Sequence, residues 1–482
     1  MAPTVRSFSA DFEPLGLIAQ LPEIYPGLLE SSAPLGPAAG GARFDILPIA
    51  SGEVLRLASD GRLSGPHAAG APGFLAALER WWAALRTPPT EASVPFSGGW
   101  LVYLAYEVAA EIEPRLALPR SGDSTAALAI RAPAAWIRDR QSGAGWLVAE
   151  PGCDALLDRF ARDVQSLGAA LSPDPVQSID IEEEDPARFE TAVTRALEFI
   201  AAGDVYQANL SRRWQGRTRG ALDPAALYRR LRAANPSPFA ALLRDGDFAV
   251  ISSSPERLVS VHGDRVATRP IAGTRPRGAS PERDAALIES LLANEKERAE
   301  HVMLIDLERN DLGKVCAGGS VHVDEFMAVE TYAHVHHIVS NVSGRKLEGV
   351  SPVEILRAVF PGGTITGCPK VRCMEIIAEL EAVGRGAYTG TLGYLNRDGS
   401  CDFNILIRTM TAQGPALSFR AGAGIVADSS PAQELAETRA KAEGMLRALR
   451  APPPAEQGLP ACFRDDSAGR VDPPVHGVRH PR

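Results

Sequence analysis

Between residues 186 and 210 the spacing of apolar side chains changes period, and that change limits the fold more than any other feature of the sequence. Phe189, Val193, Leu197 and Ile200 recur at helical intervals, which predicts a helix over 186–202 with Gly203 as its terminator. In the segment DVYQANLSRRW that follows, Val205, Gln207 and Asn209 fall on one side and Tyr206, Ala208 and Leu210 on the other, the alternation of a strand. Such a passage from helix to strand across one glycine calls for a fold that mixes the two. Upstream, roughly over 12–170, short apolar runs such as GGWLVYLAYEVA and AALAIRAPAAWIRD alternate with Pro and Gly, which suits strands with interspersed helices. Two later helices open with Ser280-Pro281 and Ser430-Pro431, a capping oxygen ahead of a proline at the first helical position, and Gln433 completes a capping box at the second.

The segment SPDPVQSIDIEEEDPARF joins prolines to an acidic run and marks a boundary that divides an N-terminal region, 1–175, from a second region, 176–450. From Ala451 onward the chain is rich in Pro and Gly without apolar periodicity, so 451–482 reads as a disordered tail. No fixed-period repeat is visible, which argues against a solenoid. The formal charge of -9 argues against a nucleic-acid binder, whose basic footprint would show in the total. No apolar run approaches the roughly 20 residues that span a bilayer, and the first residues lack the layout of a signal peptide. A cytoplasmic enzyme without membrane contact is the expectation. Six cysteines lie scattered without Cys-x-x-Cys spacing, as reduced thiols would.

Four motifs invite chemistry. PGGTITGCPK resembles a phosphate loop, but Cys368-Pro369 stand where Lys and Ser or Thr should follow the second glycine, so nucleotide binding is rejected. HVHH, with His334, His336 and His337, suggests a metal site until strand alternation is applied, which points His337 away from the other two; one histidine donating to a substrate fits better. Glu297 and Glu300 share a face of one predicted helix, and Glu434 and Glu437 share a face of another. Such pairs are commonly solvated surface, yet two facing helices with about one carboxylate each would suit magnesium, which takes the rest of its shell from water and an anionic substrate. Finally, RPIAGTRPRG carries Arg269, Arg275 and Arg277 without a single acid.

Together the stretches GDVYQANLSRRW, NPSPF, SSSPERL, RPIAGTRPRG, EHVMLIDLERNDLG, HHIVSNVSG, FPGGTITGCPKVRCMEII, YTGTLGYL, NILIRT and AGAGIVADSSPAQELAETRAK resemble the chorismate-utilising enzymes. That family includes the large subunits of anthranilate synthase and aminodeoxychorismate synthase, and the isochorismate and salicylate synthases. The resemblance implies an α+β fold with two stacked antiparallel sheets flanked by helices, and a magnesium-dependent reaction on chorismate. It casts Glu300 and Glu434 as Mg2+ ligands supported by Glu297 and Glu437, and Glu256 as the general acid that protonates the departing ring hydroxyl. Arg408 with the backbone at Gly422 and Gly424 becomes a clamp for a substrate carboxylate, and His337, Thr364, Tyr388 and Lys441 line the site. Glutamine rather than lysine at Gln207 points to ammonia as the nucleophile, supplied by a glutamine amidotransferase partner. No GxCxGxQ-like segment occurs in the chain, so that partner is expected as a separate subunit.

Between the two ammonia users, YQANL, RNDLG, GGTITGCPK and LNRDGSCDFNILIRT resemble aminodeoxychorismate synthase of the folate branch, which leads to p-aminobenzoate. Ala272 does not: that family usually has lysine there, whereas anthranilate synthases have alanine. With Ala272 and Gly273 unable to attack ring C2, Thr274 is the nearest hydroxyl for any covalent step. Leu29, Glu30 and Ser31 resemble the segment that binds regulatory tryptophan in anthranilate synthases, a pocket of which aminodeoxychorismate synthases share a version. Anthranilate synthase is the first alternative, and a catalytically silent chorismate- or tryptophan-binding partner the second.

Overall fold

The computed structural model of the chain describes residues 2–33, 43–89, 94–167, 179–218, 220, 222–332 and 335–450. The expected tail at 451–482 and His334 lie outside them. Among the described residues two large sheets, of twelve and eleven strands, stack face to face with helices on both outer surfaces.

Period-two alternation builds the layers. In the strand Phe239–Asp245, Ala240 and Leu242 join the outer core, which includes the helices Leu15–Gln20, Pro224–Ala234 and Pro431–Arg450. Ala241 and Leu243 point the other way, into a core shared with Leu101, Tyr103 and Leu128 of the second sheet. The strand Gly99–Leu104 mirrors it, since Trp100, Val102 and Leu104 pack outward with the helices Phe74–Leu85 and Pro352–Val359. Strands buried on both faces must be apolar where they are buried, as residues 240–243 and the strand Gly99–Leu104 are.

The expected helix after the acidic run spans Pro186–Ala201, with Asp185 accepting from the Ala187 N–H at 3.0 Å as its cap. Gly203 follows at φ 83°, the left-handed conformation that favours glycine. Ser280 caps the helix Pro281–Ala293, while Ser430 Oγ reaches the Gln433 N–H at 3.5 Å. A complete capping box sits at Ser351 and Glu354, a position not singled out from sequence.

The compositional boundary near residue 175 does not divide the sheets. Gly27–Glu30 pairs with Phe239–Asp245 in one, and Gly99–Leu104 pairs with Thr391–Asn396 in the other. Both sheets are therefore assembled from the two halves of the chain. Cys316, Cys373 and Cys401 are buried free thiols, and no helix among the described residues is long and apolar enough to cross a membrane.

Candidate active site

The floor of the site is a pair of strands, Gln207–Arg217 and Ala416–Ile425, in which Asn209 lies opposite Gly424 and Ser211 opposite Gly422. Glycine is needed at both positions because a neighbour occupies the space of a side chain. A Cβ on Gly424 would collide with Gln207 Nε2, and one on Gly422 would meet the Tyr388 hydroxyl at 2.5 Å. Gln207 is 3% exposed; its Nε2 donates to Glu300 Oε1 at 2.9 Å, and its Oε1 has no partner among the described residues. Lys441 Nζ donates to the Gly422 carbonyl at 3.0 Å and pairs with Glu437 at 2.7 Å. Arg408, held at φ 52°, has no ion pair among the described residues, and burial lowers its pKa. A partly buried guanidinium with no ion pair, reached only by the longer-range charge of Glu437, is set up to receive an anion.

One wall carries the acid. Glu256, 4% exposed, has its pKa raised to about 8, chiefly because burial strips water from the carboxylate and further because Glu308 adds like charge. The Thr364 hydroxyl, the Ile271 N–H and Lys441 draw the value back only in part. Thr364 Oγ1 and Glu256 Oε1 fall short of hydrogen-bond geometry, and each is buried without a partner. Glu256 is thus a carboxylic acid at neutral pH with an oxygen left open.

The strand Ile271–Pro276 starts beside Glu256, at the Ile271 N–H, and pairs Thr274 with His337. Ala272 is 7% exposed. Gly273 sits at φ 68°, where a Cβ would press on Leu291 at 2.9 Å and approach Glu297 at 3.4 Å. Burial lowers the His337 pKa to about 4, so the ring is neutral. Its Nδ1 lies 3.3 Å from the Gly273 carbonyl and 3.0 Å from Thr274 Oγ1. A carbonyl can only accept, so the ring proton resides on Nδ1 and His337 donates to Thr274. Thr274 therefore gains no base from this contact. His336 faces the other way, bonded to Asp284 at 2.8 Å and Thr331 at 2.9 Å, so the two described histidines of HVHH do not converge.

The acid-free stretch owes its arginines to acids elsewhere. Arg269 pairs with Glu330 at 2.6 Å and Glu325 at 2.6 Å, Arg275 with Glu297 at 2.6 Å, and Arg277 with Asp284 at 2.9 Å. All three bind the protein itself.

Of the four carboxylates read as a magnesium set, Glu297 is engaged by Arg275 and Glu437 by Lys441. Glu300 and Glu434 have no cationic partner among the described residues, and both pKa values are raised, first by burial and then by Glu437. No three His, Cys, Asp or Glu side chains among the described residues gather closely enough to hold an ion. Two hard oxygen donors, each under the like charge of Glu437, fit magnesium, which needs only one or two protein carboxylates beside water and substrate.

The comparisons decide the family. The profile described as chorismate binding enzyme matches residues 62–447. The chain belongs to the chorismate-binding enzymes. It is 44% identical over 365 residues to an anthranilate synthase component I-like protein of Synechocystis, covering 74% of this chain and 73% of that one. It is 42% identical over 387 residues to aminodeoxychorismate synthase component 1 of Bacillus subtilis, covering 78% and 82%. The crystal structure of anthranilate synthase component I from Streptococcus pneumoniae superposes with a TM-score of 0.74 at 30% identity, over 91% of this chain and 99% of that one. The chain is thus a chorismate-utilising enzyme with the α+β architecture of two helix-flanked antiparallel sheets.

Within this chorismate-binding enzyme, Leu29, Glu30 and Ser31 lie apart from the catalytic residues. Leu29 and Glu30 border a pocket between the sheets, closed by Phe44, Pro238, Phe239 and Tyr394. Glu30 accepts from the Tyr228 hydroxyl at 2.8 Å and Arg232 at 3.0 Å, and the Ser31 N–H donates to Asp45 at 3.1 Å. Sequence reasoning did not single out Glu308, buried beside the acid. The signal was there: Glu297, Glu300 and Glu308 share one helical face.

Proposed function

We propose that the chain is the large subunit of an aminodeoxychorismate synthase, converting chorismate and ammonia to 4-amino-4-deoxychorismate with the enolpyruvyl group retained. The observation that carries the choice of nucleophile is Gln207. Its amide, bonded to Glu300 through Nε2, leaves a buried acceptor oxygen that suits a neutral N–H donor, whereas activating water would call for a base. Free ammonia is scarce at neutral pH, so a separate glutamine amidotransferase subunit is the expected supplier. The stretches YQANL, RNDLG, GGTITGCPK and LNRDGSCDFNILIRT favour this member of the family.

Glu256, protonated by its burial, gives its proton to the departing ring hydroxyl, which leaves as water. Arg408 and the amides about Gly422 and Gly424 receive a substrate carboxylate, and His337, a neutral ring whose one N–H is turned to Gly273 and Thr274, lines the site without adding charge. Magnesium, held by Glu300 and Glu434 with Glu297 and Glu437 behind them, would neutralise a second carboxylate. Thr274 is the only hydroxyl this strand offers near Ala272, and without a base it is a weak nucleophile; amination by direct displacement fits the geometry better. Full activity in Thr274→Ala would remove Thr274 from the mechanism. The pocket at Leu29 and Glu30 is the place for a structural or regulatory tryptophan.

Anthranilate synthase is the second reading, favoured by Ala272. Incubating the protein with chorismate, magnesium and an ammonium salt and weighing the product separates them. A product retaining the enolpyruvyl group supports the proposal; loss of pyruvate with a fluorescent aromatic amine overturns it.

A further inference from the structure

Beside Ser211 on the floor strand lies a buried charge cluster. Glu381, the last residue of the helix Lys370–Glu381, accepts from Arg385 at 2.6 Å and from Arg420 at 2.8 Å. Its Oε1 also takes the Ser211 N–H at 2.8 Å and the Ser211 hydroxyl at 2.9 Å. Arg385 and Arg420 are buried alike, 5% and 4% exposed, and share this one carboxylate.

The two guanidinium groups differ in what else they hold. Arg420 donates through Nε to the Ser211 hydroxyl at 2.9 Å and through Nη2 to the Ser211 carbonyl at 3.2 Å, while its Nη1 has no partner among the described residues. Arg385 directs Nε and Nη2 to the two oxygens of Glu381, Nη2 also to the Asn209 carbonyl at 2.6 Å, and Nη1 to the Ile365 carbonyl at 3.2 Å and the Thr389 hydroxyl at 3.4 Å. Together these bonds use the whole N–H fork of the side chain. Its Cζ also stands 5.5 Å from the centre of the Tyr388 ring.

The acceptors of Arg385 belong to three parts of the site. Asn209 follows Gln207 by two residues on the floor strand, Ile365 follows Thr364 beside Glu256, and Thr389 follows Tyr388, whose hydroxyl lies against Gly422. Thr389 is held at φ 64°, a conformation that a β-branched residue keeps only where its surroundings fix it. Its N–H donates to the Leu406 carbonyl at 2.8 Å, two residues before Arg408, which is at φ 52°. The segment that carries Tyr388 is thus strained, and Arg385 is bonded to it.

We propose that Arg385 is a positioning residue for the reaction: one guanidinium, anchored by Glu381, fixes Gln207, Thr364 and Tyr388 relative to one another, whereas Arg420 anchors Glu381 alone. The inference rests on the reading of those three residues as parts of the active site. A lysine would keep the charge against Glu381, but it donates from a single nitrogen and cannot span carbonyls on separate segments.

The test uses the full chain with chorismate, magnesium and an ammonium salt, and follows the disappearance of chorismate, so that the rate does not depend on which product forms. Arg385→Lys should lower kcat per folded molecule by about 10–100-fold, the cost of displacing positioned groups by up to about 1 Å, while KM for chorismate moves far less. Arg420→Lys should lose a similar amount of melting temperature and keep kcat near that of the parent. If Arg385→Lys does not fold, Arg385→Ala decides. Guanidinium ion, entering from the cleft of about 800 Å³ that Arg385, Tyr388 and Arg420 border, should raise its kcat, and sodium ion at the same ionic strength should not. An unchanged kcat in Arg385→Lys, equal losses of kcat in the two lysine variants, or an Arg385→Ala that guanidinium leaves unmoved overturns the proposal. A parent that converts chorismate to a product other than the expected amine overturns the reading of the reaction, and the comparison of the two arginines then still decides the positioning role. A parent that consumes no chorismate overturns both.

Discussion

Glu30 and Glu256 are buried to the same degree, 5% and 4% exposed, and the protein treats them oppositely. Glu30, at the pocket between the sheets, is held by the Tyr228 hydroxyl and Arg232, with Arg138 3.9 Å away. Glu256 has no ion pair among the described residues, an open Oε1 and the added repulsion of Glu308. Burial alone therefore says little about a carboxyl. What separates a structural acid from a reactive one is whether the fold completes its hydrogen bonds.

The comparison is broken most directly at its reactive end. Glu256→Gln keeps shape and burial but removes the transferable proton, so kcat with ammonium and chorismate should fall by about 10²–10⁴-fold. Stability should respond with a definite sign. The folded value of about 8 lies above the ordinary 4.5, so the stabilisation of the protonated acid is complete below about pH 4.5 and is lost as pH rises through 8. Thermal melts of the parent from pH 5 to 9 should decline more steeply than those of Glu256→Gln. Equal slopes would mean that Glu256 is ionised and cannot be the acid.

Glu30→Ala tests the other half. Removing one partner leaves the buried Arg232 and Tyr228 unsatisfied, and such losses cost about 3–5 kcal/mol. Denaturant titration should show that loss, while kcat per folded molecule stays near that of the parent. A variant of full stability and no activity would make Glu30 part of the catalytic machinery and erase the distinction.

Gly424→Ala should have a smaller effect than either. Its Cβ would occupy the place of Gln207 Nε2, and Gln207 would have to leave Glu300. Displacement of a positioned group by about 1 Å commonly costs on the order of 10²-fold, so kcat should fall by about that factor with little change in melting temperature. The glycine was visible in sequence only as part of a motif; the reason for it, a side chain from the neighbouring strand, was not.

That difference runs through the whole molecule. The helix Pro186–Ala201 and the strand Gln207–Arg217 could be read because their periodicity and caps are local. The sheet order could not, since Gly27–Glu30 finds its partner at Phe239–Asp245 and Gly99–Leu104 at Thr391–Asn396, and no local pattern encodes so distant a pairing. The shift in composition near residue 175 marked a connection but carried no information about which sheet either side enters. In the site, Glu256, Gln207, Glu300 and Arg408 were found through motif resemblance. Glu308 escaped because its significance depends on a carboxyl on a different element, and the arginines of RPIAGTRPRG stood in sequence without an acid because their partners, Glu330, Glu325, Glu297 and Asp284, lie outside the stretch.

Arg277 tests that last point and carries the smallest expected effect. An arginine serving a dianionic substrate should be open toward it, as Arg408 is, whereas Arg277 places Nε 3.0 Å from Asp284 Oδ1 and Nη1 3.1 Å from the Tyr332 carbonyl. Its side chain is 39% exposed, so solvent screens the pair, and its loss should cost less than about 1 kcal/mol. Arg277→Ala should therefore leave KM for chorismate unchanged, with a fall in melting temperature that shrinks further in added salt. A rise in KM larger than the stability loss accounts for would show that the loop's charge reaches the substrate past Asp284, and that the acids paired with this stretch tune its field rather than consume it.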